Sequence, residues 1–309
     1  MTDDRMTNGP SLHLHVFSYG RGRFLEHCVA SIERCAPWAR VTVVDDRSDD
    51  AETVAALERI ATRHEVRVRP PDADGASKYG GLYPNMQAAY EAADEDEVVC
   101  FLQDDMQLVR GFEPDEAAKI GRLAIDGPRF VHPCFLKGVR RHRHRGRIHF
   151  DETLGAYLMS HPTRGPRAFS AVCALHVGSM REAGWSFVVR ESRNEANARR
   201  MLAPLAFLRD PFTHWLPNPP AFRWRHRSLA IRIAERRRDC DFHPLEEMDE
   251  AERSALLERD AAVLPYAEDF LRPVGRPVAA PWIYHPLQGS RLLTRLNRLE
   301  TTLRRPGGG

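Results

Sequence analysis

Val98-Val99-Cys100-Phe101-Leu102-Gln103-Asp104-Asp105 is an apolar run that stops on two adjacent carboxylates. Five successive apolar residues, two of them β-branched and one aromatic, are too few for an independent helix and read as a central strand covered on both faces. The two aspartates then fall at the rim of the sheet, where like charges disfavour one another unless a cation or ordered donors neutralise them. Hard oxygen ligands on one short segment suit Mg²⁺ or Mn²⁺, ions that commonly leave coordination positions to substrate phosphates. The same pair also reads as a solvated turn capping the next segment, and the rest of the chain has to separate the two.

Upstream, Leu12-His13-Leu14-His15-Val16-Phe17 alternates cleanly and reads as a first strand that enters Ser18-Tyr19-Gly20-Arg21-Gly22-Arg23. Phe24, Cys28, Ile32 and Cys35 then recur at helical spacing until Pro37. Val41-Thr42-Val43-Val44 is a second strand, and it too ends on acids, Asp45-Asp46. Asp49 and Glu52 give a capping-box-like start to a helix with Val54, Leu57 and Ile60 inward. A short third strand is expected over Glu65 to Arg69, a glycine- and proline-rich loop from Pro70 to Tyr83, and a helix from Pro84 to Ala93.

Strand, helix, strand, helix with short connections is the pattern of a parallel sheet with helices on both faces. Right-handed crossovers put the carboxyl ends of these strands on one edge, where open α/β sheets bind ligands. Tyr19 to Arg23, Asp45-Asp46 and Asp104-Asp105 therefore converge. Downstream the order is less regular. A helix is expected over Glu113 to Ile125, a strand over Arg129 to Leu136, and a small-residue strand over Phe169 to Val177. Glu191 to Leu202 reads as a helix carrying Glu191 and Glu195, and the four prolines between Pro211 and Pro220, around His214 and Trp215, as the end of the compact domain. Three arginine-rich helical stretches follow, from Trp224 to Arg238, Pro244 to Leu264 and Ser290 to Arg304.

At 309 residues, 42% hydrophobic and 28% charged, the chain has the composition of a soluble globular protein large enough for a sizeable core. Its formal charge of +2 argues neither for nor against a polyanionic partner. The six cysteines, with no Cys-x-x-Cys pair, read as small buried hydrophobes in a reducing compartment. No secretory signal is expected before the first strand, and no window approaches the ~20 apolar residues of a membrane span. A cytoplasmic location is expected, with contact at the inner face of the membrane left open.

Four of these features, in order, resemble the family 2 glycosyltransferases, which have the nucleotide-sugar-binding fold called GT-A. They are the strand turning at Ser18-Tyr19, Val43-Val44-Asp45-Asp46-Arg47-Ser48-Asp49, Asn85-Met86-Gln87-Ala88-Ala89, and Phe101-Leu102-Gln103-Asp104-Asp105. The resemblance covers roughly the first two thirds of the chain. It implies that Asp46 holds the base of a nucleotide-sugar donor with Tyr19 against it, that Asp104 contacts the ribose, and that Asp105 binds a metal bridging the diphosphate. It also implies a carboxylate base shortly after the Phe169 to Trp185 segment. Where the family has a Glu-Asp pair, this chain has Asn194-Glu195-Ala196-Asn197, so Glu195 takes the base position if Asn194-Glu195 is that pair, and Glu191 is a second candidate.

The expected architecture is thus an α/β protein: a flexible tail over 1–10, a GT-A-like catalytic domain over 11–220 with a mostly parallel sheet, and a helical arginine-rich extension over 221–309. The expected activity is metal-dependent transfer of a sugar from a UDP- or GDP-linked donor to an acceptor hydroxyl, with inversion. Ser18, Tyr19, Arg21, Asp46 and Asp104 are the donor-binding candidates, and Asp105 and His214 the candidate ligands of Mn²⁺ or Mg²⁺. Gly20-Arg21-Gly22-Arg23 also weakly resembles the loop of sugar-phosphate nucleotidyltransferases, which gives an alternative enzyme; a non-catalytic binding protein on the same fold is the other alternative. Lys137 to Arg147 holds six basic residues and two histidines. That run reads as a solvated face, or as a grip on a phosphorylated or lipid-linked acceptor, an anionic membrane or nucleic acid. No aromatics interleave, so base stacking finds no support.

Overall fold

The computed structural model describes residues 12–70, 81–159, 169–202, 204–221 and 227–303. The tail expected over 1–10, most of the loop expected from Pro70 to Tyr83, the first residues of the helix expected from Trp224, and the glycine tail lie outside them. In chain order the first half comprises β1 (Leu12–Ser18), α1 (Gly22–Cys35), β2 (Arg40–Asp45), α2 (Ala51–Ala61), β3 (Glu65–Val68), α3 (Leu82–Ala92), β4 (Val98–Gln103), β5 (Met106–Leu108), α4 (Pro114–Asp126) and β6 (Val131–His132). There follow α5 (Arg141–His144), β7 (Ile148–Asp151), β8 (Ala156–Met159), β9 (Cys173–His176), α6 (Val177–Glu182), α7 (Glu191–Met201), β10 (Leu205–Leu208) and β11 (Thr213–Trp215). The last elements are α8 (Leu229–Arg237), α9 (Glu250–Glu258), α10 (Ala267–Phe270) and α11 (Arg291–Leu303).

Nine strands form one sheet in the order β3-β2-β1-β4-β9-β6-β10-β8-β7. The pairs β3/β2, β2/β1, β1/β4 and β6/β10 are parallel, and the others antiparallel. Following the directions across the sheet, only β9 and β8 run against the other seven. The expected mostly parallel α/β sheet is what the chain builds.

β4 shows why. Its Val98, Cys100 and Leu102 pack into a core with Leu25, Cys28 and Ile32 of α1, Leu57 and Ile60 of α2 and Ile120 of α4. Its Val99 and Phe101 point the other way, into a core with Met86 and Tyr90 of α3 and Met180 of α6. A strand alternates its side chains between faces, so a continuous apolar run fits only where both faces are covered. Phe101 is fully buried, and truncating it to alanine costs about 3–5 kcal/mol on the scale of large-to-small core changes.

Two expectations are corrected in detail. The N-cap of α2 is Asp50 rather than Asp49, with its carboxylate accepting from the Thr53 N–H at 2.9 Å. The proline-rich stretch around His214 carries a strand, because Thr213–Trp215 forms β11, antiparallel to β5. The chain beyond it packs back: Leu245, Leu256, Ala267, Leu271 and Trp282 share a third core with Phe24, Val109, Phe135 and Leu216. Of the helix expected over Pro244 to Leu264, the structure forms α9 alone. Among the described residues no helix is long and apolar enough to cross a membrane.

Candidate active site

Register gathers the polar strand ends. β1 lies between β2 and β4, with Ser18 opposite Asp45 and Phe17 opposite Gln103, so the residues that follow each strand meet at one edge. Backbone hydrogen bonds hold them there: the Asp46 N–H donates to the Ser18 carbonyl and the Asp104 N–H to the Phe17 carbonyl, both at 3.0 Å. The Tyr19 N–H donates to Asp104 Oδ2 at 3.1 Å. Asp45 and Asp46 divide their roles by strand alternation. Asp45 is fully buried and accepts from the Ser48 N–H and hydroxyl at 2.6 and 2.7 Å, which shapes the turn. Asp46 faces a cavity of about 320 Å³.

Ser18, Tyr19, Arg21, Asp46, Asp104 and Asp105 all line that cavity. Asp46 Oδ2 accepts from the Gly81 N–H at 2.8 Å, and Arg69 lies 3.3 Å from its Oδ1. A Cβ at position 81 would overlap the Asp46 carboxylate and the Arg69 guanidinium, so the close approach requires glycine. The volume lies at the small end of the ligand-site range of roughly 300–1,000 Å³.

Two like charges side by side need a cation, and Arg21 supplies one. Its guanidinium stands 2.6 Å from Asp105 Oδ2 and 3.8 Å from Asp104 Oδ1, and it also donates to the Pro220 carbonyl at 3.1 Å. Burial pushes the Asp104 carboxyl up to about 7, with Arg21 pulling it down and Asp105 pushing it further up. The second oxygen of Asp105, Oδ1, is buried with no hydrogen-bond partner among the described residues. An orphaned carboxylate oxygen is costly, and it is the donor a hard divalent cation takes. Among the described residues no group of three or more His, Cys, Asp or Glu could hold a metal by itself. The donor set fits an ion of the Mg²⁺ type, which binds through one or two carboxylates and completes its shell with water and phosphate oxygens.

His214 does not join them. β11 turns its ring fully inward, where Nε2 shares a 2.7 Å hydrogen bond with the Tyr284 hydroxyl and the ring lies edge-on to Phe135, Trp215 and Tyr284. Burial, then the Lys137 cation, holds its pKa well below the usual histidine value. The candidate metal set therefore loses His214.

A second, larger cleft of about 770 Å³ adjoins the first, sharing Leu82 and Gln103 as walls. The two glutamates of α7 divide there. Glu191, exposed at the first turn, lines this cleft. Glu195 is 4% exposed; its Oε2 accepts from the Phe169 N–H at 2.8 Å and its Oε1 from Arg199 at 2.9 Å. The helix period puts residues four apart on one face, which places Arg199 beside Glu195.

Sequence reasoning missed Gly81, Tyr284, His285 and Pro286, all of which line the smaller cavity. The Trp282-Ile283-Tyr284-His285-Pro286 cluster, set in an arginine-rich region, was the available signal. Asn218 carries that segment to the sheet edge, its N–H donating to the Ile283 carbonyl and its side-chain oxygen accepting from the Ile283 N–H, each at 3.0 Å.

No protein-family model matches the chain, and no curated protein matches it in sequence. Among solved structures it is similar to residues 1–349 of S. aureus TarS in complex with UDP, with a TM-score of 0.47 and 16% identity over 80% of this chain and 69% of that one. It is also similar to the mannosyltransferase PcManGT from Pyrobaculum calidifontis in complex with GDP-Man and Mn²⁺, with a TM-score of 0.44 and 17% identity over 66% of this chain and 58% of that one. The bifunctional glycosyltransferase WbbM gives 0.38 and 10%, over 65% of this chain and 39% of its own.

Proposed function

We propose that this chain is a glycosyltransferase that moves a sugar from a UDP- or GDP-linked donor to an acceptor hydroxyl, with Mn²⁺ or Mg²⁺, inversion at the anomeric carbon, and a catalytic unit centred on 11–220. The observation that supports it most is the meeting of three strand ends around one cavity, with Asp46, Asp104, Asp105 and Arg21 on its wall and a second cleft opening beside it. Asp46, held against Gly81, suits the hydrogen-bond donors of a nucleobase, and Tyr19 its flat face. Asp104 suits the ribose hydroxyls, with Ser18 beside it.

Asp105 would hold the metal, which supplies a Lewis acid for the negative charge that grows on the leaving diphosphate. Arg21, already at Asp105, supplies a second fixed positive charge to the same oxygens, in a partly buried place where such charges act strongly. The acceptor belongs in the larger cleft. There Glu191 is an exposed carboxylate placed to face an incoming hydroxyl and remove its proton, a step typically contributing ~10²–10⁴-fold. Glu195, with both oxygens engaged, orients Phe169 and Arg199 instead.

Incubation with a panel of nucleotide sugars and Mn²⁺ tests the reading by slow release of the nucleoside diphosphate. Release of pyrophosphate from a nucleoside triphosphate and a sugar phosphate would make the chain a nucleotidyltransferase. Donor binding with no release in the presence of any acceptor would leave it a binding protein.

A further inference from the structure

The larger cleft carries two cations that no acid pairs. Lys137 and Arg140 both line it, and among the described residues neither side chain has a carboxylate within ion-pair distance, whereas Arg141, next in sequence, reaches Asp269 at 2.8 Å. Lys137 is held in place by rings. Its Nζ stands 3.3 Å from the centre of the Trp215 ring and 4.2 Å from that of Tyr284. Trp215 in turn donates its indole N–H to Gln103 Oε1 at 2.9 Å, and Gln103 is the wall shared with the donor cavity. The amine is thus fixed beside the junction of the two spaces.

A surface lysine is solvated and mobile. A half-buried one stacked between two aromatic rings has lost water and gained no anion, and cation–π contact replaces only part of that hydration. Burial, then the neighbouring Arg140, pushes the Lys137 ammonium down to about 7, while Asp105 and Glu191 act in the opposite sense. Burial and the nearby Arg143 lower Arg140 as well. Two poorly hydrated cations on one wall, near enough for Arg140 to depress the Lys137 ammonium, with Ser170 and Tyr83 on the same wall, form a place that an anion relieves.

We propose that the larger cleft binds an acceptor carrying a phosphate ester, gripped by Lys137 and Arg140, so that the acceptor hydroxyl reaches the donor at the Gln103 junction. The assignment of that phosphate to an acceptor rests on the glycosyl-transfer reading; the anion site itself rests on these side chains. Phosphate rather than carboxylate follows from the pairing of a point charge with a guanidinium fork, which together satisfy several oxygens of one group. A soluble sugar or polyol phosphate and a lipid-linked phosphate present the same chemistry.

The test is titration of the full chain with glycerol 3-phosphate, and separately with vesicles of phosphatidylcholine containing phosphatidic acid, alongside UDP with Mn²⁺. Lys137→Met keeps the apolar stem against Trp215, and Arg140→Gln keeps a polar group. Glycerol 3-phosphate is expected to bind the wild type, to bind still when UDP is saturating, and to weaken roughly tenfold in each variant, the scale of one charged hydrogen bond. UDP binding is expected to stay unchanged in both. Response to the vesicles with none to glycerol 3-phosphate, lost in the same variants, assigns the phosphate to a lipid. No phosphate binding in either form, binding indifferent to both substitutions, or displacement of glycerol 3-phosphate by UDP overturns the proposal. Failure of both UDP and GDP to bind while phosphate binds at Lys137 overturns the glycosyl-transfer reading instead.

Discussion

The Arg21 guanidinium lies 2.6 Å from Asp105 Oδ2, so a side chain from the first strand–helix turn occupies one oxygen of the aspartate that ends the central acidic motif. A divalent cation arriving at Asp105 has the buried Oδ1 at its disposal but competes with Arg21 for Oδ2. Replacing Arg21 by methionine removes the competitor and the guanidinium that neutralises the two carboxylates. Binding of Mn²⁺ in the absence of nucleotide, followed by loss of its free-ion paramagnetic resonance signal, is expected to tighten roughly tenfold. Binding of UDP should weaken, because a fixed charge toward the diphosphate is gone. Equal Mn²⁺ affinity in the two proteins would show that Arg21 and the metal do not share Asp105.

Gly81 provides a steric test of the corner proposed to hold the base. With φ at −96°, its backbone suits alanine as well as glycine; what forbids a side chain is the Asp46 carboxylate pressed against it. Gly81→Ala should therefore displace Asp46 while α3 stays folded. The expected result is UDP affinity lowered roughly tenfold, as for the loss of one charged hydrogen bond, with little change in melting temperature. Gly111→Ala, where a Cβ meets nothing within 4 Å, is the matched control and should leave UDP binding alone. If both variants bind UDP like the wild type, Asp46 does not serve the nucleotide.

These two sites differ in how far the chain reveals them. The acidic ends of β2 and β4 were legible because an apolar run ending on charge can only be a buried strand reaching the sheet edge. Gly81, by contrast, is one glycine of three in a polar stretch, and only the fold brings Asp46 against it. His214 misled for a related reason. Prolines around it suggest an exposed loop, yet they flank three residues that pair with β5, and pairing over so short a stretch leaves no periodic signal. Tyr284 lies far along the chain from β1, and the path that returns it to the pocket runs through Asn218, which no local pattern marks. Glu191 and Glu195 were both visible on one helix; which faces the cleft depended on the packing of Phe169.

His15 gives a prediction about stability rather than binding. It sits in β1 at 1% exposure, its two ring nitrogens lack hydrogen-bond partners among the described residues, and its ring packs against His13 and Phe101. Burial, then the neighbouring His13, lowers its pKa from 6.5 to about 2, with Arg67 and Arg40 adding to the effect. His13, bonded to Glu97 and Thr42, is lowered to about 4, again chiefly by burial. A histidine neutral in the fold but protonated in the unfolded chain contributes stability that is present above pH 6.5 and lost as pH falls toward the folded value. The protein should thus lose stability steadily from pH 6.5 to pH 4. His15→Leu removes an unsatisfied buried polar ring and is expected to add about 1–3 kcal/mol at pH 7, with a larger gain at pH 5. A melting series in which the variant runs parallel to the wild type, or below it, would contradict this.

The two glutamates of α7 separate chemistry from architecture. Glu191 is exposed at the first turn of α7 and lines the larger cleft, so Glu191→Gln should leave UDP binding and melting temperature unchanged. As a lost general base it should lower turnover by ~10²–10⁴-fold, with the deficit easing at high pH as hydroxide takes the acceptor proton in its place. Glu195→Gln behaves differently, because an amide cannot accept from both the Phe169 N–H and Arg199 while keeping its own donors satisfied. The expected cost is about 1–3 kcal/mol of stability, the usual result of leaving a buried polar group unpaired, with turnover falling only as far as Phe169 shifts on the wall of the cleft. Turnover and melting measured together on both variants decide the matter. A Glu195 variant that melts normally but is inactive, beside a fully active Glu191 variant, would return the base to Glu195 and require that Arg199 release it when the acceptor binds.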